Sequence, residues 1–335
     1  MALQTISIIG AGSWGTTLGL LLAQDPNNRV LLWAAFDDHV ARMRSDRANN
    51  DFLKGYPFSD NIEPTSDLKA ASLANVIFLA VPTQFMRDVL KKMKATGVDF
   101  NHSVIVTVSK GIELATLTTP FEIIADELAV SKNRIVVLSG PTIATEVARG
   151  VPTAAAAACF DADRAERVQR LFEKTHFRVY RNDDPMGVER AAALKNVIAI
   201  ACGIADGLGF GTNTKSALVT RGLREMVRFG HVWGVKDETF MGVTGLGDLC
   251  TTCFSSESRN RGFGERLGKG EKADAILAGM KMVAEGVVTA KSVYQLSKKH
   301  GLEMPIVTEV YRVIYEGKEP KDAVRDLMAR PLKSE

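Results

Sequence analysis

Short runs of β-branched and aliphatic residues recur through the first half of the chain: TISIIG (5–10), RVLLW (29–33), NVIFLAVP (75–82), SVIVTVS (103–109) and RIVVLSG (134–140). Each has the length and near-continuous apolarity of a strand covered on both faces. Stretches of helical periodicity lie between them, at 13–24, 37–46, 84–95 and 117–129. Strands alternating with helices predict a parallel, doubly wound sheet with right-handed crossovers. The run PTAAAAAC (152–159) reads either way. Alanine favours helix, yet its place after the preceding strand–helix units suits another buried strand.

From about residue 190 the strand-like runs stop and a 3.6-residue period takes over, at 189–206, 214–230, 237–243, 273–281, 287–299, 304–315 and 320–329. Glycine clusters such as GLGFG (207–211) and GLGD (245–248) punctuate it. The pattern predicts an α/β protein, with a sheet domain over 1–189, an all-helical domain over 190–335 and the active cleft between them. No internal repeat and no Pro/Ser-rich linker interrupts this division.

Composition narrows the class without changing the picture. With 335 residues, 46% hydrophobic and 24% charged, the chain has material for about two domains and a sizeable core, which excludes a largely disordered protein. Its 42 basic and 39 acidic residues leave a net charge of +3, too balanced to point to nucleic acid or a membrane surface as partner. Runs such as VLLW (30–33) and VIFLAVP (76–82) are too short to span a bilayer, so no membrane insertion is expected. Met1 leads straight into a strand-like segment with no basic n-region or cleavage site, which speaks against secretion. Cys159, Cys202, Cys250 and Cys253 are few and irregularly placed, as in a reduced, cytoplasmic protein. Cys250 and Cys253 form a lone CxxC without a second ligand pair, so no metal is expected there, and a redox pair is the other reading.

The most specific chemistry lies at GAGSWG (10–15), between the first strand and the first helix-like segment. Gly10 permits the tight turn, Gly12 lets a pyrophosphate approach the backbone, and Gly15 lets helix and strand pack closely. The helix N-terminus then offers N–H groups and a positive dipole end. In this strand–turn–helix setting the motif points to a Rossmann-type dinucleotide site. Which nicotinamide cofactor it takes stays open. Ala34 and Ala35 stand where an acid would mark NAD or an arginine NADP, and Asp37 follows within reach of the ribose hydroxyls.

Polar residues that the core does not explain are candidates for the rest of a site. Lys195 interrupts the apolar helix ERAAALKNVIAIAC (189–202), and its helical neighbours Ala191, Ala192, Ile198 and Ala199 include no acid. A lysine whose stem lies along the helix with its head in water explains it equally well. Ser258, Arg259 and Asn260 combine hydroxyl, guanidinium and amide and can surround a phosphate, or form only a polar turn. Asp248 sits at a glycine-flanked turn that also suits a helix cap, and Lys110 follows a buried strand at the sheet edge where ligands bind.

With these blocks in order, the chain resembles bacterial-type NAD(P)-dependent glycerol-3-phosphate dehydrogenase. The resemblance rests on GAGSWGTTL (10–18), FLAVPTQ (78–84), SKGIE (109–113), LSGPTIATEVARGVPTA (138–154), ALKNVIAIACGIADGLG (193–209), TGLGDLCTTC (244–253), SSESRNRGFG (255–264) and VAEGVVT (283–289). It implies reversible interconversion of glycerol 3-phosphate and dihydroxyacetone phosphate with NAD(P)H, feeding glycerophospholipid synthesis, in a homodimer built from a Rossmann domain and an all-helical one.

Carried over by position, the resemblance makes Lys195 the catalytic proton acceptor. Lys110, Gly140, Thr142, Lys195, Asp248, Ser258, Arg259 and Asn260 become substrate contacts. Ser13, Trp14, Lys110, Ala144, Arg259, Val283 and Glu285 become cofactor contacts beside Gly10, Gly12 and Gly15. Apolar neighbours would then disfavour the lysine's charged form. Three departures stand out: Ala35 where the family often has a basic residue, GPTIA (140–144) for GPSFA, and alanines for a valine-rich strand. Rival readings are a two-domain dehydrogenase for another hydroxy acid or acyl thioester, and a non-catalytic nucleotide sensor.

Overall fold

The computed structural model describes residues 4–280 and 284–332. It divides into two compact units. One runs to Lys110 and resumes over Thr119–Glu189; the other holds Gly111–Thr118 and the chain from Arg190 onward. The segment 111–118 therefore departs from a simple division at 189/190. It is tied into the helical unit by the Ser292 hydroxyl, which donates to the Ile112 carbonyl at 3.1 Å.

The first unit is built on eight strands: β1 (Gln4–Ile9), β2 (Asn28–Trp33), β3 (Ile62–Thr65), β4 (Val76–Leu79), β5 (Val104–Thr107), β6 (Ile135–Ser139), β7 (Thr153–Ala158) and β8 (Phe177–Asn182). They are ordered β3-β2-β1-β4-β5-β6-β7-β8. Strands β1 to β6 are mutually parallel. The expectation of a wholly parallel sheet needs correcting, because β7 runs antiparallel to β6 and carries β8 parallel to itself. Alternate residues feed opposite faces: Ile6, Ile8, Phe78, Val104 and Val106 join one core, while Ile9, Ile77, Leu79 and Ile105 join the other. Both faces are thus buried, which is why the inner strands read as continuous apolar runs.

Two strands escape the hydrophobic pattern, and both lie at sheet edges. β3 is IEPT, with a proline that an edge strand tolerates. β8 is FRVYRN, whose alternate residues are exposed. The alanine run resolves as a strand, β7, with Ala155–Ala158 buried. Gly140 lies close against this strand. A Cβ at Gly140 would stand 2.8 Å from both the Ala154 oxygen and the Ala155 Cα.

The second unit is helical, with the segment from Arg190 to the end of the helix Pro185–Gly207 leading into Thr212–His231, Asp237–Met241, Asp248–Phe254, Arg259–Gly268, Ala273–Ala278, Glu285–Lys299, Pro305–Tyr315 and Pro320–Met328. Asp248–Phe254 and Arg259–Gly268 fall where the sequence shows only glycine-rich and polar segments. A wide π turn over Val243–Gly247 runs directly into the first of them. Among the described residues no helix is long and apolar enough to cross a membrane.

One contact in this unit sets the geometry of its polar residues. Gly203 and Gly207 on one helix face Gly264 and Gly268 on another. A Cβ at Gly203 would overlap the Arg261 carbonyl oxygen, and one at Gly264 the Ile200 carbonyl oxygen. The two backbones touch, so the start of Arg259–Gly268 is held rigidly against the Lys195–Asn196 turn. Substituting Gly264 with alanine forces the helices apart and is expected to destabilise the protein by about 1–3 kcal/mol, the usual cost of overpacking. Urea unfolding of Gly264→Ala checks this, and an unchanged midpoint would contradict the contact.

Candidate active site

In the sheet unit, β1, β4 and β5 end level with one another, at Ile9, Leu79 and Thr107. The residues that follow them form the carboxyl edge of the sheet. Gly10 leaves β1 at φ +118°, a conformation that favours glycine, and a Cβ there would lie 2.7 Å from the Ala80 oxygen. A Cβ on Gly15 would overlap the Gly10 carbonyl oxygen, so helix and turn are in backbone contact. Gly12 differs: nothing lies within 4 Å of an added Cβ. Its lack of a side chain serves no packing within the protein and leaves an open approach to the backbone. The helix Ser13–Leu22 begins at Gly12 with no side-chain cap. A helix start at this place presents N–H groups and a positive dipole end, to which a dinucleotide pyrophosphate is suited. The turn therefore fits the cofactor implied by the motif.

The other sheet-unit candidates surround this turn. The Ser13 hydroxyl donates to the Phe52 carbonyl at 2.7 Å, and Trp14 packs on Phe177 with ring centroids 6.0 Å apart. Asn49 ties the turn from beneath, donating to the Ala11 carbonyl and to Thr16 Oγ1, both at 2.8 Å. Ala144 starts a short helix whose first carbonyl accepts from Thr17 Oγ1 at 3.2 Å. Lys110 Nζ donates to the Gly140 carbonyl at 3.0 Å and to Thr142 Oγ1 at 3.4 Å. Lys110 thus forms one polar cluster with Gly140 and Thr142, 30 and 32 residues further on, and the threonine of GPTIA provides a hydroxyl contact within it.

In the helical unit Lys195 is buried, with 6% of its surface exposed. The helix gives it no acidic neighbour, but the fold does. Nζ donates to Asp248 Oδ1 and to Thr252 Oγ1, each at 2.6 Å. Thr252 Oγ1 also lies 2.7 Å from the Asp248 carbonyl, the i−4 position of its own helix. Apolar neighbours alone are thus not the lysine's environment. Burial penalises the ammonium, and a carboxylate in direct contact opposes that penalty.

Next to this pair, Asn260 Nδ2 donates to Asn196 Oδ1 at 2.9 Å, and Asn260 Oδ1 accepts from the Gly286 N–H at 3.0 Å. A Cβ at Gly286 would stand 2.7 Å from both the Asn196 carbonyl oxygen and Asn260 Oδ1, so glycine follows Glu285 for lack of space. Ser258 caps the helix Arg259–Gly268, its hydroxyl accepting from the Arg261 N–H at 3.2 Å. SSESRN is therefore a helix start, with Arg259 exposed in the first turn. Glu285 opens the helix Glu285–Lys299. Val283 lies outside the described residues.

Sequence reasoning did not single out Thr252. Its signal was the i+4 spacing from Asp248, visible only if CTTC is read as helix. The CxxC reading also changes. All four cysteines are free, and the side-chain hydrogen bond of Cys253 is to Cys202, not Cys250. That bond and burial push the Cys253 thiol well above its ordinary range, the state of an unreactive thiol.

The chain matches two family descriptions in tandem. "NAD-dependent glycerol-3-phosphate dehydrogenase N-terminus" covers residues 5–165, and the corresponding C-terminus covers 184–325. It is 45% identical over 334 residues to a glycerol-3-phosphate dehydrogenase [NAD(P)+] of Syntrophotalea carbinolica, covering 99% of both chains. The enzyme of that name from Geobacter sulfurreducens is 48% identical over 337 residues, again at 99% of each chain. Among solved structures, glycerol-3-phosphate dehydrogenase from Coxiella burnetii superposes with a TM-score of 0.92 at 39% identity, over 98% of this chain and 99% of that one. The chain belongs to the NAD-dependent glycerol-3-phosphate dehydrogenase family.

Proposed function

We propose that this chain interconverts sn-glycerol 3-phosphate and dihydroxyacetone phosphate with Lys195 as the proton carrier. It is an NAD(P)-dependent oxidoreductase acting on a CH–OH group, and the family membership supports that activity over its full length. The observation that carries the assignment of Lys195 is its buried contact with Asp248 and Thr252. An ammonium has three N–H donors. Two of them directed at fixed oxygens place the amine within narrow limits, as a general acid–base group requires.

Bound nicotinamide supplies or accepts the hydride at C2 of the substrate. The residues of this chain do the rest. When glycerol 3-phosphate is oxidised, the C2–H leaves with its electron pair and the hydroxyl proton passes to Lys195 Nζ. In reduction, Lys195 returns that proton to the oxygen as negative charge develops on it. Asp248 and Thr252 orient the amine, and the Asp248 carboxylate stabilises the ammonium formed by oxidation. Gly10, Gly12, Ser13, Trp14 and Gly15 would hold the pyrophosphate, with Lys110, Ala144, Arg259 and Glu285 as further cofactor contacts. Lys110, Gly140, Thr142, Ser258, Arg259 and Asn260 would be the substrate contacts.

Arg259 suits the substrate phosphate because a guanidinium gives paired charged hydrogen bonds and the helix start adds N–H donors. The product would enter glycerophospholipid synthesis in the cytoplasm, where four free thiols are at home, and the working form would be a homodimer.

Spectrophotometric assay of dihydroxyacetone phosphate reduction tests the activity. Positioned acid–base groups contribute about 100- to 10,000-fold, so Lys195→Ala is expected to lower kcat by roughly that much while NADH still binds. A near-wild-type kcat removes Lys195 from the mechanism. Loss of a charged hydrogen bond costs about 1.5–3 kcal/mol. Arg259→Ala should accordingly raise KM for dihydroxyacetone phosphate by an order of magnitude or more, and much less for unphosphorylated dihydroxyacetone. Equal effects on both would rule out Arg259 as the phosphate anchor.

A further inference from the structure

The glycine turn and the end of β2 are immediate neighbours. Ile9 pairs with Trp33, and the Gly10 N–H donates to the Trp33 carbonyl at 3.0 Å. In a sheet of this kind the adenosine ribose lies at the end of the second strand. Ala34 is buried there and bonded to the Thr65 carbonyl at 3.0 Å, and Ala35 is exposed. Neither offers a group to a phosphate. Asp37 and Asp38 follow as the first two residues of the helix Asp37–Asp46.

The arginines of this helix are already engaged. Arg42 reaches Asp38 and Asp51, both at 2.8 Å. Arg44 Nε donates to the Pro64 carbonyl at 2.9 Å, and Arg47 Nη2 to the Ser59 carbonyl at 2.7 Å. His39 is buried, with Nε2 placed 3.1 Å from Asn49 Oδ1. The hydrogen bond donated by Arg42 holds the Asp38 carboxyl below the usual carboxylate range. Asp37 has no ion-pair or hydrogen-bond partner among the described residues. Two carboxylates, Asp38 and Asp51, therefore hold the one guanidinium of Arg42, and the exposed Asp37 stands beside them at the helix start.

We propose that this start of the Asp37–Asp46 helix rejects the 2′-phosphate of NADP and makes NAD(H) the working cofactor, with Asp37 the acceptor for the ribose 2′-hydroxyl. The inference rests on the dehydrogenase reading and concerns which cofactor that site takes. A 2′-phosphate brings about −1.5 to −2 charges near neutral pH. NADP sites meet that charge with an arginine fork. Here the arginine nearest the helix start is already matched by two carboxylates, and a third faces outward. A ribose hydroxyl brings no charge and can donate to Asp37.

Calorimetric titration of the whole protein with NADH and with NADPH tests this without relying on turnover. NADH is expected to bind at least about tenfold more tightly, since like charges set against each other oppose binding. Added salt should narrow the ratio by screening the repulsion. The double variant Ala35→Arg with Asp37→Ser should narrow it tenfold or more, by strengthening NADPH binding and weakening that of NADH. NADPH binding as tight as that of NADH in the wild type overturns the inference while leaving the dehydrogenase reading intact, as does a ratio unmoved by both salt and the double variant. Binding of neither cofactor overturns both.

Discussion

A lysine buried against an aspartate is the interaction on which the chemistry proposed for the helical unit depends. Taking both charges out of water costs several kcal/mol each, which their attraction repays only in good geometry. The two 2.6 Å contacts of Lys195 supply that geometry. Apolar residues in place of such a pair are often as stable or more so, so stability is a poor reason for the pair to exist. Positioning an amine for proton transfer is a sufficient one. The neighbouring polar groups extend the same logic. Asn260 links Asn196 to the Gly286 backbone, and the glycine-to-glycine contact of the helices Pro185–Gly207 and Arg259–Gly268 holds that linkage in place.

The sheet unit solves a different problem by different means. A dinucleotide needs backbone N–H groups within reach of its phosphates, and side chains obstruct that approach. Gly10 and Gly15 are glycines because other backbone lies against them, whereas Gly12 is open and so leaves a path to the helix start. Lys110, Gly140 and Thr142 gather at the ends of β5 and β6, brought level by parallel pairing of those strands. The antiparallel β7 then passes so close to Gly140 that a side chain at position 140 has no room.

How much of this was legible in the sequence follows from what each element buries. The inner parallel strands, apolar on both faces, stood out as runs, and their intervening helices followed. The edge strands β3 and β8 did not, since an edge strand half-exposed to solvent carries proline and charge. The direction of β7 was invisible, because strand periodicity is the same both ways. Short helices rich in glycine and polar residues, Asp248–Phe254 and Arg259–Gly268, read as loops, which concealed Thr252 and the capping role of Ser258. The glycine turn announced itself by local context. Lys195 could be noticed in its apolar helix but not interpreted: its carboxylate partner lies 53 residues away. Only likeness to a known family over several blocks joined it to Asp248 and Arg259.

Chemical rescue tests most directly whether the amine at position 195 carries the proton. Lys195→Ala, loaded with NADH and saturated with dihydroxyacetone phosphate, would be assayed with added methylamine and, separately, with tetramethylammonium. The account predicts a rate that rises with methylamine concentration and does not respond to tetramethylammonium, which has charge but no transferable proton. An equal response to both, or none to methylamine while both substrates still bind, would mean that Lys195 holds charge or shape without moving the proton.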